Sequence, residues 1–345
     1  MKSEKPLEIH NFSMNGVQEA SSSNLDTRTK TETAVAVSVF FFYALINGRE
    51  LNWLSVLMIG DTMEKSITFG IVGCSNGQNL CNVEQNKKFI QFLEDQGIAV
   101  RVSRYLYRDV DGVNPSAQNR AKELMKFYRD DYITDIFDIS GGDIANEVLP
   151  FLDFDLIGKS RKRFWGYSDL TVILNAVYSQ TGKSGVLYQL RNTYLDAAGT
   201  RLKMLLDHVN NGDKCLFDFD YEFIQGECLE GIVVGGNIRC FLKLAGTLYF
   251  PDLADKVLFL EARSGGVEQI TAYLSQLSQM GAFEKVGGIL LGTFTEMDEQ
   301  GLYPLVAKLV KGFVGSNLPV AKTKEIGHSV DSKALAIGKY LKIQK

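Results

Sequence analysis

ITDIFDISGGDIANEVLP, residues 133–150, decides how the chain is read. Its first eight residues are a short apolar run of strand type, and they run straight into Gly141-Gly142. Paired glycines permit a sharp strand-to-helix corner with close backbone approach. The first amides of the following helix then face the cleft as donors to an anion. An acyl-transfer enzyme keeps its nucleophile and oxyanion hole at such a corner. A turn that merely joins a strand to a helix has the same sequence, so the rest of the chain must decide.

Upstream, ITFGIVG (residues 67–73) reads as a buried strand, and a helix is expected over 84–96, with Phe89, Ile90 and Leu93 on one face and Gly97 as its stop. IAVRVSR is the next strand, and Pro115 opens a helix with Ala121, Leu124, Met125 and Tyr128 at i, i+3, i+4, i+7. Alternation of this kind gives right-handed crossovers and a parallel sheet covered by helices, with ligands outside the carboxyl ends of the strands. Downstream of about residue 222, GIVVGG, KVLFLEA and GGILLGTF read as strands; the helix VEQITAYLSQLSQMG carries Val267, Ile270, Leu274 and Leu277 on one stripe and stops at Gly281. The 194–211 stretch is the natural connector. Three regions are therefore expected: an extension over 1–62, a first α/β domain over 63–214 and a second over 215–345.

At 345 residues the length suits about two domains, and 45% hydrophobic with 23% charged residues excludes disordered and collagen-like classes. A net charge of −4 argues against nucleic acid or an anionic membrane as partner and favours a small-molecule or peptide ligand. Five widely spaced cysteines without a C-x-x-C pair point to reduced thiols in the cytoplasm, and no spacing suits zinc. Neither metal nor organic cofactor is expected. In the extension, residues 1–33 are polar and read as disordered. The apolar run AVAVSVFFFYALI (34–46) is short of the ~20 residues a membrane span needs; it reads as part of the extension, as an accessory segment or, preceded by Arg28 and Lys30, as a signal-type apolar region.

Six motifs in order resemble the LD-carboxypeptidase family of muramoyl-tetrapeptide carboxypeptidases, which includes the microcin C self-immunity hydrolases. They are GGDIANEVLPFLDFDLI from Gly141, GYSDLT from Gly166, GGNI from Gly235, LAGTLYFPDLADKVLFLE ending at Glu261, GGILLGTFTE from Gly287 and EIGH ending at His328. The resemblance spans about residues 66–345. It implies a flavodoxin-like N-terminal domain with a parallel sheet, a smaller C-terminal α/β domain, an active site between them, and a homodimer. It also implies serine peptidase chemistry on a GG-x-x-S-N turn, with Glu261 as the orienting carboxylate and His328 as the general base. Gly141, Gly142, Asn146, Asp169 and Arg191 are candidate substrate and oxyanion residues.

One position departs from the pattern, because Ala145 stands where the family has serine. A methyl group cannot attack a carbonyl; loss of the nucleophile costs on the order of a millionfold, with a residue of ~10³ to 10⁴ over water surviving through binding and the oxyanion hole. A member that has lost or rerouted its chemistry and a serine replaced to trap substrate both fit. Ser75 in Gly73-Cys-Ser-Asn-Gly77 matches G-x-S-x-G and is the rival nucleophile, although no helix opens directly after it. Ser140 ends the strand before the glycines, and Ser168 is expected to cap a helix. Arg191 suits a terminal carboxylate but also a surface ion pair; Trp165 and Tyr167 suit ring stacking or core packing. Three functions are consistent with these residues: hydrolysis of the L,D bond of murein tetrapeptide with release of D-alanine, silent binding of muropeptides, and hydrolysis of a peptidyl-nucleotide.

Overall fold

The computed structural model describes residues 67–345, the side chain of Tyr303 excepted. The expected extension over 1–62, with its apolar run, lies outside the described residues. The strands in chain order are β1 (Thr68–Val72), β2 (Ala99–Val102), β3 (Asp135–Asp138), β4 (Arg163–Gly166), β5 (Gly185–Leu187), β6 (Glu222–Gln225), β7 (Cys228–Asn237), β8 (Val257–Ala262), β9 (Gly288–Phe294), β10 (Val320–Lys322), β11 (Leu335–Ile337) and β12 (Tyr340–Gln344). They form two sheets, ordered β11-β5-β4-β3-β1-β2 and β12-β7-β8-β9-β10-β6. In the first, β1 to β5 are all parallel. In the second, β7 to β10 are parallel and the flanking β12 and β6 antiparallel.

The parallel arrangement explains the apolar runs. β1 and β3 are buried at every position because helices cover both faces, so no polar alternation survives. Edge strand β2 is mostly exposed. The expected helices form over Val83–Asp95 and Ala117–Arg129; the second opens two residues after Pro115, with the Ser116 hydroxyl accepting from Asn119 N. Trp165 is core, stacked on Phe137 at 5.1 Å between ring centroids.

Two features reach beyond the sequence reading. Ser168 does not cap a helix: it lies inside the 3₁₀ turn Ser168–Leu170 with φ +54°, and the helix Thr171–Thr181 begins without a side-chain cap. That left-handed residue turns Asp169 inward, where it is fully buried. The second is β11, which crosses back from the later half of the chain and pairs antiparallel with β5 of the first sheet. Residues 323–334 thus join β10 of one sheet to β11 of the other. One apolar cluster likewise runs from Leu124 and Leu174 to Val233, Val257 and Leu290, packing the two sheets on a shared core. Among the described residues no helix is long and apolar enough to cross a membrane.

Candidate active site

The Gly-Gly corner is tied down from three sides. At the carboxyl end of β3, the Asp138 carboxylate accepts from Cys74 N at 2.7 Å and from the Ser140 hydroxyl at 2.6 Å, joining the ends of β1 and β3. Burial pushes the Asp138 carboxyl up. Gly142 has φ +128°, and a Cβ there would collide with the Asn76 side chain, so only glycine fits this turn. Asn76 Oδ1 accepts the Asp143 amide at 3.0 Å. Directly after the turn comes a seven-residue 3₁₀ helix, Ala145–Phe151, with Pro150 inside it. Of the amides that the sequence assigns to an anion, that of Asp143 goes to Asn76 and that of Ala145 to Asp169 Oδ2 at 2.9 Å.

Asp169 organises the corner from below. Its Oδ2 also accepts the Ser75 hydroxyl at 2.6 Å, and its Oδ1 meets Lys243 Nζ at 2.5 Å. Lys243 reaches Asp143 O at 2.8 Å as well. Arg239 pairs with the Asp143 carboxylate and donates to Gly142 O at 2.9 Å, and this contact holds the Asp143 carboxyl below the usual range. Both cations come from the later half of the chain, from the helix Ile238–Leu242 and the residue after it. Sequence reasoning missed them. The available signal was Arg-x-x-x-Lys directly after GGNI, a spacing that puts two cations on one helical face.

Glu261 and His328 form the second part. Glu261 is fully buried near the end of β8, in register with Asn237 of β7. Its Oε2 lies 2.7 Å from His328 Nδ1, so Nδ1 donates this bond, and in the neutral ring Nε2 is the nitrogen with the lone pair. Nε2 and Glu261 Oε1 are buried with no partner among the described residues. Each such atom costs about 1–3 kcal/mol unless a partner reaches it. Gly327 lets the loop lie flat on β9, since a Cβ there would run into the Thr293 hydroxyl. The Tyr167 ring packs on the His328 imidazole at 4.4 Å, tilted 56°. Tyr167 stands two residues before Asp169, which holds Ala145.

The remaining candidates fall around these parts. Arg191 is half-buried after β5; its Nε and Nη2 are buried without a partner among the described residues, and burial draws its pKa down. The neighbouring Asn192 amide donates to Ser329 O at 3.3 Å, one residue from His328. Asn146 is exposed, and Ala145 and Ser75 are each fully buried.

Two family models match the chain: the LD-carboxypeptidase N-terminal domain over residues 69–189 and its C-terminal domain over 230–343. The "probable murein peptide carboxypeptidase" of Bacillus subtilis (strain 168) is 27% identical over 265 residues, 72% of this chain and 80% of that protein. The microcin C7 self-immunity protein MccF of Escherichia coli is 25% identical over 297 residues, 74% of this chain and 83% of that one. Among solved structures, MccF in complex with aspartyl sulfamoyl adenosine superposes with a TM-score of 0.68 at 21% identity, covering 81% of this chain and 93% of that chain. The muramoyltetrapeptide carboxypeptidase of Oxalobacter formigenes superposes with a TM-score of 0.65 at 20% identity, covering 81% and 95%. At these identities the superpositions establish the two-domain α/β fold.

Proposed function

The chain belongs to the LD-carboxypeptidase family, and on that premise we propose that it takes up a short murein-type peptide, such as the tetrapeptide ending in D-alanine, at the carboxyl edges of its two sheets. The observation that carries this reading is the Glu261–His328 pair, locked at 2.7 Å with its outer nitrogen bare. In this reading His328 Nε2 is the base, and Glu261 holds the tautomer and stabilises the imidazolium that forms. The scissile carbonyl lies over Gly141, Gly142 and Asn146. Arg191, with two unpartnered nitrogens, receives the terminal carboxylate, a charge-assisted contact. Asp169 holds the turn from below. Ala145 occupies the nucleophile position, so no acyl-enzyme forms there. The protein works in the cytoplasm as a homodimer, on peptide rather than nucleic acid or membrane.

Calorimetric titration of the purified chain with murein tetrapeptide, and with the same peptide amidated at its carboxyl terminus, tests the reading. Removing the charge should weaken binding about 10- to 100-fold, the value of one hydrogen-bonded ion pair. Arg191→Met should erase the difference between the two peptides. If neither peptide binds saturably, the assignment fails. A second reading, a peptidyl-nucleotide ligand, rests on the fold shared with MccF, solved with aspartyl sulfamoyl adenosine; that compound belongs in the same titration as a competitor.

A further inference from the structure

We infer that this chain hydrolyses its peptide by direct attack of water activated at His328 Nε2, without any covalent enzyme intermediate. The inference rests on the proposed peptide site and adds to it the identity of the nucleophile. An imidazole fixed by a fully buried carboxylate, with its second nitrogen left without a partner among the described residues, has the arrangement of a general base. Glu261 Oε2 and His328 Nδ1 are 2.7 Å apart, and His328 Nε2 and Glu261 Oε1 are both buried with no partner among the described residues. That arrangement is costly in a folded protein and suits a general base awaiting a proton.

Neither Ser75 nor Ser140 is free for the role. Ala145 presents a methyl group. Ser75 is fully buried, and its hydroxyl already donates to Asp169 Oδ2 at 2.6 Å, which commits its proton away from His328. The Ser140 hydroxyl is likewise committed to Asp138 at 2.6 Å. Asp169 also meets Lys243 Nζ at 2.5 Å and the Ala145 amide at 2.9 Å, so its carboxylate is shared among three donors and holds the corner together. The Tyr167 ring packs 4.4 Å from the imidazole that Glu261 orients.

The step balances without any co-reactant. Water oxygen bonds to the scissile carbonyl carbon while one water proton moves to Nε2. Collapse of the tetrahedral adduct breaks the C–N bond, and the Nε2 proton passes to the departing amine. The products are a carboxylic acid and free D-alanine.

The test measures D-alanine release from murein tetrapeptide by the intact chain, with and without hydroxylamine, together with intact-mass spectrometry of quenched samples. The expected result is slow release with no burst, no hydroxamate and no protein adduct. His328→Ala and His328→Gln should each lower the rate by about 10² to 10⁴-fold, the usual worth of a general base. Ala145→Ser should add a burst and hydroxamate; their absence from that variant would overturn the placement of Ala145 and the inference with it. Hydroxamate or an adduct in the unaltered chain would show a side-chain nucleophile and overturn the inference. Saturable binding without release would also overturn it while leaving the peptide site standing, whereas absence of binding would remove both.

Discussion

Two imidazoles of this protein are built alike, and they differ in one bond. At the amino edge of the first sheet, where β3 and β4 begin, His208 Nδ1 lies 2.7 Å from Asp213 O and Nε2 lies 2.8 Å from the Arg163 guanidinium. Asp135 completes that cluster, accepting from Arg163 Nε at 2.7 Å and from Trp165 Nε1 at 2.8 Å. His328 likewise gives Nδ1 to an oxygen, that of Glu261, but its Nε2 has no partner among the described residues. A ring engaged at both nitrogens serves stability, and one with a nitrogen left over is what the proposed general base requires. The contrast arises from the parallel sheet, whose carboxyl edges gather loops that can leave polar groups unfinished.

Substitutions can break or sharpen this contrast. The largest expected effect is that of His328→Gln, which can still donate to Glu261: a loss of about 10² to 10⁴ in D-alanine release, with unfolding in urea shifted by less than about 1 kcal/mol. Unchanged turnover would erase the distinction. Next comes Lys243→Met, which leaves the fully buried Asp169 without its cation and should destabilise the fold by about 3–5 kcal/mol in the same unfolding assay. A cost near zero would mean that the corner does not depend on this ion pair. His208→Gln should do the reverse of its counterpart, costing about 1–2 kcal/mol of stability and leaving the rate of release alone; a drop in rate would tie the two edges together.

The smallest effect is a dependence on acidity. Burial draws the His208 pKa below 6.5 in the folded state. The unfolded chain therefore binds the proton more readily, and stability is lost as pH falls from 6.5 through the depressed value. Thermal unfolding of the unaltered chain should show this slope between the two values, and His208→Gln should flatten it. An equal slope in both proteins would place the titration elsewhere.

Much of this was legible in the sequence. Apolar runs, glycine stops and the helical stripe of Ala121, Leu124, Met125 and Tyr128 mark elements that form where expected, because their burial is continuous in a parallel sheet. The family motifs pointed to Glu261 and His328, which meet at 2.7 Å although 67 residues apart. Three things were not legible. The left-handed backbone at Ser168, which turns Asp169 inward, has no local signature in a non-glycine residue. The grip of Arg239 and Lys243 on Gly142 and Asp143 joins positions about a hundred residues apart, and pattern and propensity say nothing about such contacts. The crossing of β11 into the first sheet is three residues long, too short for periodicity to announce.

That crossing governs how the site can come into being. His328 rides near the middle of a strap stapled at one end to β10 and at the other to β11, so the imidazole belongs to neither sheet alone. The halves of the polypeptide are sewn together: the earlier one, made by itself, would leave β5 a bare edge open to self-association. The Glu261–His328 pair is therefore held by both sheets at once, and a chain cut before residue 335 would leave the strap tied to β10 alone among the strands.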